Sequence, residues 1–327
     1  MKTLISEFAI HLRKSLDFSI ELQDEKIRKN INQVLISGMG GSGIAGRIAS
    51  QLYSRKSKIP LLVNNNYTLP GYAEDGTLVI ASSYSGNTEE SLYALQSALE
   101  KNTTIACITS GGKMLEIAEK EKKAHILLPS GMPPRAAFGF SFTALLKLLE
   151  HFDVIDSGYK GEISGFIELL LSEEQQIVLD AEEMARHLVG KLPVIYSDER
   201  FEGVAVRFKQ QINENSKMLC GHNVFPELNH NEIVGWKHKN DQIAIVILRN
   251  SNDFKRIQKR MNITSEILRK KTKSVYEIYS KGETDLQKTL FLVHFCDWIS
   301  FFLSELNGAD VMEVDVIDYL KSELAKE

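Results

Sequence analysis

The chain has 327 residues, with 39 Lys and Arg against 43 Asp and Glu, so its formal net charge is −4. This slightly acidic balance argues against a protein built to bind nucleic acid or an anionic membrane surface. An apolar fraction of 43% with only 7 Pro excludes a disordered or collagen-like chain. The length predicts two domains of ordinary size, each able to bury a core.

The three cysteines, Cys107, Cys220 and Cys296, are odd in number and far apart in the sequence. They predict neither a disulfide framework nor a cysteine-rich zinc site, and a reducing, cytoplasmic environment fits this usage best.

No targeting or membrane segment is predicted. Residues 1–30 carry charges that the apolar core of a signal peptide does not tolerate. The most apolar segment, Leu290–Leu303, is interrupted by His294, Asp297 and Ser300 and is too short to span a bilayer. It therefore predicts a buried helix, and we expect no membrane partner.

Apolar periodicity predicts alternating strands and helices in the first half. The first thirty residues predict a helix, because apolar residues recur every four positions from Phe8 to Ile20. Strands are predicted at Val34–Ser37, Leu61–Asn64, Leu78–Ser82, Thr104–Thr109 and His125–Leu128. Helices are predicted at Ile44–Tyr53, Thr88–Leu99, Met114–Glu119 and Phe142–Leu149. Such alternation indicates βαβ units and a parallel sheet.

The same rhythm returns in the second half. A polar stretch around Asp153–Gly161 predicts the boundary between a first domain, residues 1–153, and a second, residues 154–327. Residues Gly221–Asn240 lack periodicity and are predicted to form a loop. Strands are predicted at Val194–Tyr196, Ile243–Leu248 and Val275–Ile278. Helices are predicted at Glu173–Val189, Val204–Asn213, Phe254–Lys270, Leu286–Leu306 and Val314–Leu324. The pattern favours two copies of one α/β unit.

A glycine-rich motif, GMGGSG at positions 38–43, joins the first predicted strand to its helix. Small residues let the backbone approach a ligand, and the free N–H groups of a helix start attract an anion. Gly38, Gly40 and Gly43 also fit the dinucleotide fingerprint. That fingerprint needs an acidic residue at the end of the next strand, and positions 63–66 read Val-Asn-Asn-Asn. The motif thus favours an anion site over a dinucleotide site, and we expect no cofactor.

A second motif, SSYSGNT at positions 82–88, follows the strand that begins at Leu78. Its four serine and threonine hydroxyls cluster at the carboxyl edge of a parallel sheet, where open α/β sheets bind ligands. Hydroxyls and helix N-terminal amides together can hold a phosphate. The alternative is simple helix capping by Ser85 or Thr88, with Glu89 compensating the helix dipole. Capping accounts for one hydroxyl but not for the whole cluster.

The two motifs together resemble the sugar isomerase (SIS) domain, a flavodoxin-like module that binds phosphosugars. Further segments narrow the resemblance: Pro133–Arg135, Asn213–Lys217, Phe225–Glu232 and Ile317–Lys321. In this order, the segments resemble the bifunctional phosphoglucose/phosphomannose isomerase family across essentially the whole chain. The resemblance implies an α/β protein of two flavodoxin-like SIS subdomains.

The resemblance also implies an activity. It is that of an aldose–ketose isomerase, which interconverts fructose 6-phosphate with glucose 6-phosphate and mannose 6-phosphate through a cis-enediolate without a metal. The 6-phosphate would be held by Gly41 and by the hydroxyls of Ser42, Ser83, Ser85 and Thr88.

Four further residues receive catalytic roles from the resemblance. Glu214 would be the base that moves a proton between C1 and C2, a task that suits a carboxylate. Arg135 would stabilise the developing oxyanion and keep Glu214 ionised. His230 and Lys321 would handle the ring oxygen and the O1 proton during ring opening. In related isomerases the histidine comes from the neighbouring subunit, so a homodimer with a shared site is implied.

Each role has a structural alternative. Glu214 lies near the end of a predicted helix, where negative charge is unfavourable, and an uncompensated carboxylate there favours catalysis. Lys321 could be a surface charge, and His230 could be an ordered loop residue. His230 could also bind a metal together with its neighbours His222, Glu227, Glu232 and His238. Their spacing fits no standard zinc signature, so no metal is predicted.

The two units predict a division of labour. The second unit's strands end in Ser197–Arg200 and Arg249–Asp253, which lack the glycine loop and carry carboxylates that repel phosphate. The first half should therefore bind phosphate and the second should supply the catalytic groups, with the site between domains. Asp310–Val314 departs from the Pro/Thr-rich turn of many family members, which weakens the expectation for mannose 6-phosphate. The alternative function is a non-catalytic phosphosugar-binding SIS regulator.

Overall fold

Two parallel sheets organise the chain in the computed structural model, which describes residues 1–22, 30–101, 103–324 and 326. The strands of the first sheet are β1 (Gln33–Gly38), β2 (Leu61–Asn64), β3 (Thr77–Ser83), β4 (Thr104–Thr109) and β5 (Ala124–Leu127). Their order is β2-β1-β3-β4-β5. Every residue of β3 and β4 is buried, as expected of apolar parallel strands covered on both faces.

Helices cover the first sheet on both faces. The helices that precede the second sheet are α1 (Lys2–Ser6), α2 (Phe8–Leu16), α3 (Gly40–Tyr53), α4 (Glu89–Glu100), α5 (Gly112–Lys120), α6 (Phe138–His151) and α7 (Tyr159–Leu188). Of these, α7 packs mainly on α11 (Asp285–Leu306) of the second half. Successive strand residues point to opposite faces, so Leu35 packs in the cluster under α4 and α5. Its neighbours Val34 and Ile36 pack in the cluster that contains α3 and α6.

The second sheet repeats this arrangement with four strands. They are β6 (Leu192–Asp198), β7 (Gly221–Phe225), β8 (Ile243–Arg249) and β9 (Val275–Tyr279). Their order, β7-β6-β8-β9, matches the first four strands of the first sheet, and both follow the flavodoxin-like doubly wound order. The remaining helices are α8 (Glu202–Ser216), α9 (Glu232–Gly235), α10 (Lys255–Leu268), α11 (Asp285–Leu306) and α12 (Asp315–Leu324). The predicted pair of α/β units is confirmed.

Helix α11 is the centre of the core. Among the described residues it alone is long and apolar enough to cross a bilayer, but 89% of its most apolar window is buried inside the protein. It packs against α7 and α8, so its apolar surface is already covered. The prediction of a buried helix is confirmed, although the helix is longer than the apolar segment that suggested it.

Three predicted elements differ from the structure. The N-terminal helix ends at Leu16, because Glu21 forms an antiparallel bridge with His125 and this tertiary contact overrides the local periodicity. Positions 23–29 of the predicted helix lie outside the described residues. The predicted loop Gly221–Asn240 contains the edge strand β7, whose half-exposed residues give no apolar run. Helix α7 begins fourteen residues before the predicted start at Glu173. The domain boundary after residue 153 stays a prediction.

Helices α3 and α8 join the two units in antiparallel fashion. The N–H of Gly203, at the start of α8, donates to Gln51 Oε1 near the end of α3, over 2.7 Å. A Cβ at Gly203 would lie only 2.7 Å from Ile48 Cγ1, so the close contact needs glycine. The start of α3, at the carboxyl edge of the first sheet, therefore meets the end of α8, at the amino edge of the second.

Candidate active site

The site lies where the strand order of the first sheet reverses, between β1 and β3. The glycine loop follows β1 and the hydroxyl loop follows β3, so both lie at the carboxyl edge of adjacent strands. This edge of a doubly wound sheet is the usual ligand crevice. The backbone N–H of Tyr84 donates to Ser42 Oγ over 3.0 Å, which ties the two loops together.

The hydroxyl loop is a compact turn of mutually bonded groups. Ser83 Oγ donates to Thr88 Oγ1 over 2.8 Å and accepts from the N–H of Gly86 over 3.1 Å. Gly86 has φ 69°, a left-handed conformation that favours glycine. Thr88 is the N-cap residue of α4, but its side chain makes no capping bond, and Ser85 Oγ accepts instead from the N–H of Asn87. The structure therefore does not bear out the capping alternative.

The glycine loop contacts the segment that carries Arg135. A Cβ at Gly41 would lie 3.0 Å from the carbonyl carbon and oxygen of Pro134 and 3.2 Å from the Arg135 nitrogen. A larger residue would push this segment away by a few tenths of an ångström, so glycine favours the close approach that brings Arg135 beside the glycine loop. Asn65, which follows β2, donates to the carbonyl of Gly38 and supports the loop from the other side.

Arg135 bridges the two units from a buried position, since only 5% of its surface is exposed. Its Nε donates to Asn215 Oδ1 over 2.8 Å and its Nη2 to the carbonyl of Val311 over 2.6 Å. Nη1 lies 3.5 Å from Glu214 Oε2. Burial lowers the pKa of Arg135 from its ordinary value and Glu214 opposes this shift, but a guanidinium stays charged at any working pH.

A buried ion pair supports the backbone of Arg135. Arg207 donates from Nη2 to the carbonyl of Arg135 over 2.9 Å and to Asp297 Oδ2 over 2.6 Å. Gln211 also donates to Asp297, over 3.0 Å. Sequence reasoning missed Arg207, Asn215 and Asp297 as parts of the site. A sequence signal was available only for Asp297, a charged residue that interrupts the most apolar segment.

Glu214 lies in the last turn of α8 with its side chain 28% exposed. Lys217, which ends α8 with φ 55°, donates from Nζ to the carbonyls of Glu214 and Glu313 over 2.6 and 2.7 Å. This ammonium group compensates the helix C-terminus, and Arg135 faces the carboxylate. The assumption of an uncompensated carboxylate is therefore wrong.

His230 lies at the other end of the second unit. It is exposed at the end of a 3₁₀ turn, Glu227–His230, that follows the carboxyl end of β7, whereas Glu214 precedes the start of this strand. The five residues of β7 span about 17 Å at the usual rise per residue. The structure therefore does not bring His230 and Glu214 of one chain together.

The loop that carries His230 is anchored on both sides of the histidine. Asn229 Nδ2 donates to Thr264 Oγ1 over 2.9 Å. The Glu232 carboxylate accepts from the hydroxyl of Tyr196 and from the amide of Asn223. The loop thus presents an exposed imidazole from a fixed backbone.

Lys321 and the alternative metal ligands lie apart from this cluster. The Lys321 side chain is 72% exposed on α12, and its Nζ lies 3.9 Å from Asp318 Oδ1. His222 Nε2 lies 3.6 Å from Glu202 Oε1. Across the described ranges, no group of three or more His, Cys, Asp or Glu side chains is placed to hold a metal ion.

The matching edge of the second sheet is filled by ion pairs. Arg200 Nε lies 2.9 Å from Asp198 Oδ1, and its Nη2 lies 3.1 Å from Asp253 Oδ1. Burial, reinforced by Asp198 and opposed by Arg200, raises the pKa of Asp253 to about 6. Carboxylates thus occupy the position where the first sheet presents hydroxyls and glycines.

Comparison with known proteins agrees with this geometry. The model described as "SIS domain" matches residues 27–152, and the one described as "Bacterial phospho-glucose isomerase C-terminal SIS domain" matches residues 177–324. In fold, the chain is similar to the C-terminal domain of glucosamine-fructose-6-phosphate aminotransferase from Francisella tularensis. The TM-score is 0.74 at 15% identity, over 94% of this chain and 96% of that one. The fold and its switch-point loops define a protein of two SIS domains.

Relatives at higher identity narrow the class. The chain is 39% identical to a bifunctional phosphoglucose/phosphomannose isomerase of Caldicellulosiruptor bescii, over 97% of this chain and 95% of that protein. It is 36% identical to the protein of that name in Aquifex aeolicus, over 94% and 96% of the two chains. The chain therefore belongs to the bifunctional phosphoglucose/phosphomannose isomerase family.

The Asp253 carboxyl predicts a pH-dependent cost to stability. Folding raises its pKa from 3.8 to about 6, so the folded protein holds this proton more tightly than the unfolded chain. The contribution of this group to the free energy of unfolding is therefore highest below pH 4 and falls as the pH rises through 6. The D253N variant lacks this titration. The free energy of unfolding of D253N minus that of the wild type should therefore increase by on the order of 3 kcal/mol between pH 4 and pH 7. Denaturant unfolding of both proteins at the two pH values measures the gain. A difference that is constant over this range would contradict the assignment.

Proposed function

We propose that the protein is an aldose–ketose isomerase that interconverts fructose 6-phosphate with glucose 6-phosphate and mannose 6-phosphate. The observation that carries the proposal is the buried Arg135 guanidinium, whose segment contacts the glycine loop of one unit and which faces Glu214 of the other. A regulator that only binds a phosphosugar would use the loops but has no need of a buried cation beside a partly exposed carboxylate.

The 6-phosphate is held at the carboxyl edge of the first sheet. Ser42, Ser85 and Thr88 offer hydroxyls there beside the backbone of Gly41, and Ser83 holds Thr88 in place by donating to its Oγ1. Hydroxyl and amide donors suit a dianion because each can direct a hydrogen bond at a phosphate oxygen. The carboxylates around Arg200 disfavour phosphate at the matching edge of the second sheet.

Glu214 is the base of the isomerisation. Its carboxylate takes the proton from C2 of the open aldose, or from C1 of the ketose, and returns it to the neighbouring carbon. The pair of oxygens on C1 and C2 carries negative charge in the cis-enediolate between these steps. The Arg135 guanidinium stabilises that charge from a position that is already desolvated, so it needs little reorganisation during the reaction.

The working unit is a homodimer in which His230 of one chain serves the site of the other. The opposite positions of Glu214 and His230 in one chain support this arrangement, as does the outward presentation of the imidazole. His230 and Lys321 then handle the ring oxygen and the O1 proton during ring opening.

Helix α12 supports the same dimer. None of its ten residues is buried, and Val316, Tyr319 and Leu320 are 80%, 66% and 58% exposed. A helix of this length is marginal in water without tertiary packing. A second copy of the chain is the occupant we assign to this apolar face, because the same copy supplies the missing histidine.

The activity itself is the first test. Purified protein with fructose 6-phosphate and EDTA should form glucose 6-phosphate and, more slowly, mannose 6-phosphate, because Arg135 supplies the positive charge for the enediolate. Coupled assays for each product measure the rates. The absence of any aldose phosphate, or a rate that depends on added metal, would reject the proposal.

The E214Q variant separates binding from proton transfer. It should keep phosphosugar binding, since the phosphate loops lie in the other unit, but lose exchange of the C2 proton with deuterated solvent. Calorimetry measures the binding and NMR measures the exchange. If exchange persists at the wild-type rate, Glu214 is not the base.

The dimer is tested on the exposed face of α12. The double substitution V316D/L320D should shift the mass in light scattering from two chains to one, because carboxylates oppose burial of this face. L171D is the matched control, since Leu171 is 60% exposed on α7 and should leave the mass unchanged. If both variants keep the mass of two chains, α12 does not form the dimer contact.

A further inference from the structure

Asn215 directly follows the proposed base in α8 and is fully buried, with 0% of its surface exposed. We propose that Asn215 is a positioning residue that fixes the Arg135 guanidinium relative to Glu214. The inference rests on the isomerase proposal for its kinetic consequence, but the contact on which it depends is a property of the folded protein alone.

The hydrogen-bond network fixes the orientation of the Asn215 amide. Ser300 Oγ has one proton, which it donates to the carbonyl of Asp297 over 2.7 Å. Towards Asn215, 2.9 Å away, Ser300 Oγ must therefore accept, so the amide presents its NH₂ to Ser300. The amide oxygen then faces Arg135 Nε, which needs an acceptor.

The distances show which partner holds the guanidinium. Asn215 Oδ1 lies 2.8 Å from Nε, whereas Glu214 Oε2 lies 3.5 Å from Nη1. The Glu214 carboxylate is thus not locked in a short ion pair and keeps its lone pairs for a proton. Glu214, the proposed base, and Asn215, which aligns the Arg135 guanidinium, are adjacent residues at the end of α8, so their positions are coupled.

The chemistry of the partners matters as much as the geometry. The short contacts of Arg135 are to neutral oxygens, those of the Asn215 amide and the Val311 carbonyl. A carboxylate at position 215 would neutralise the guanidinium and reduce its effect on the enediolate. An amide holds the group without consuming its charge.

The test compares N215L with S216A. Ser216 is equally buried on the same helix end and donates to the Ser300 carbonyl over 2.7 Å, but its side chain bonds to α11 instead of Arg135. N215L should lower kcat by about 10- to 100-fold, as expected of a misplaced catalytic group. KM should change by less than about threefold, because the phosphate loops are untouched. S216A should keep a kcat near that of the wild type.

A readout without substrate separates this inference from the isomerase proposal. In ¹⁵N-arginine-labelled protein, the Arg135 Nε–H should exchange slowly with solvent in the wild type and S216A, and quickly in N215L. If the wild type has no isomerase activity, the isomerase proposal fails while the exchange experiment still tests the contact. Equal exchange and equal kcat in N215L and S216A would overturn the inference.

N215D covers the case in which N215L does not fold. It keeps an acceptor of the same shape for Arg135 Nε but adds a negative charge. We expect a lower kcat than the wild type with slow Nε–H exchange retained. A wild-type kcat in N215D would show that the neutral charge of the amide is irrelevant and would overturn that part of the inference.

Discussion

The account depends on one interaction, the buried contact between Arg135 and the end of α8. A guanidinium with 5% of its surface exposed is costly unless its donors are satisfied, and here Asn215 and Glu214 at the end of α8 and the carbonyl of Val311 before α12 accept from it. The contact fixes the carboxyl edge of the first sheet against the amino edge of the second. The proposed phosphate loops, the proposed base and the segment before α12 converge there for that reason.

The two units have the same fold but different residues at the carboxyl edges of their sheets. The switch point of the first sheet has the glycine loop and the hydroxyl loop, which we propose hold a phosphate. The same place in the second sheet has Arg200 held by Asp198 and Asp253, which close it with internal ion pairs. In the proposed site the second unit supplies Glu214 from its opposite edge, where α8 ends, and His230 from the loop after β7.

The local pattern of apolar and polar residues predicts most of the fold but only part of the candidate site. Strands such as Thr104–Thr109 were predictable because their central residues form a continuous apolar run and are buried on both faces. The edge strand β7 was not, because its half-exposed residues give no apolar run. The glycine and hydroxyl motifs could be found because close approach to a ligand needs particular residues at fixed spacing. Asn215 and Arg207 could not, since their roles depend on tertiary contacts between segments about eighty residues apart in sequence.

The central claim is that each site draws Glu214 from one chain and His230 from another. Its most direct test is to co-express E214Q and H230Q chains and to measure isomerase activity against each variant alone. A mixed dimer contains one site with both residues intact, and half of the dimers are mixed at equal expression. We predict that activity returns to about one quarter of the wild-type value per chain. Activity no greater than the sum of the two separate variants would contradict the shared site.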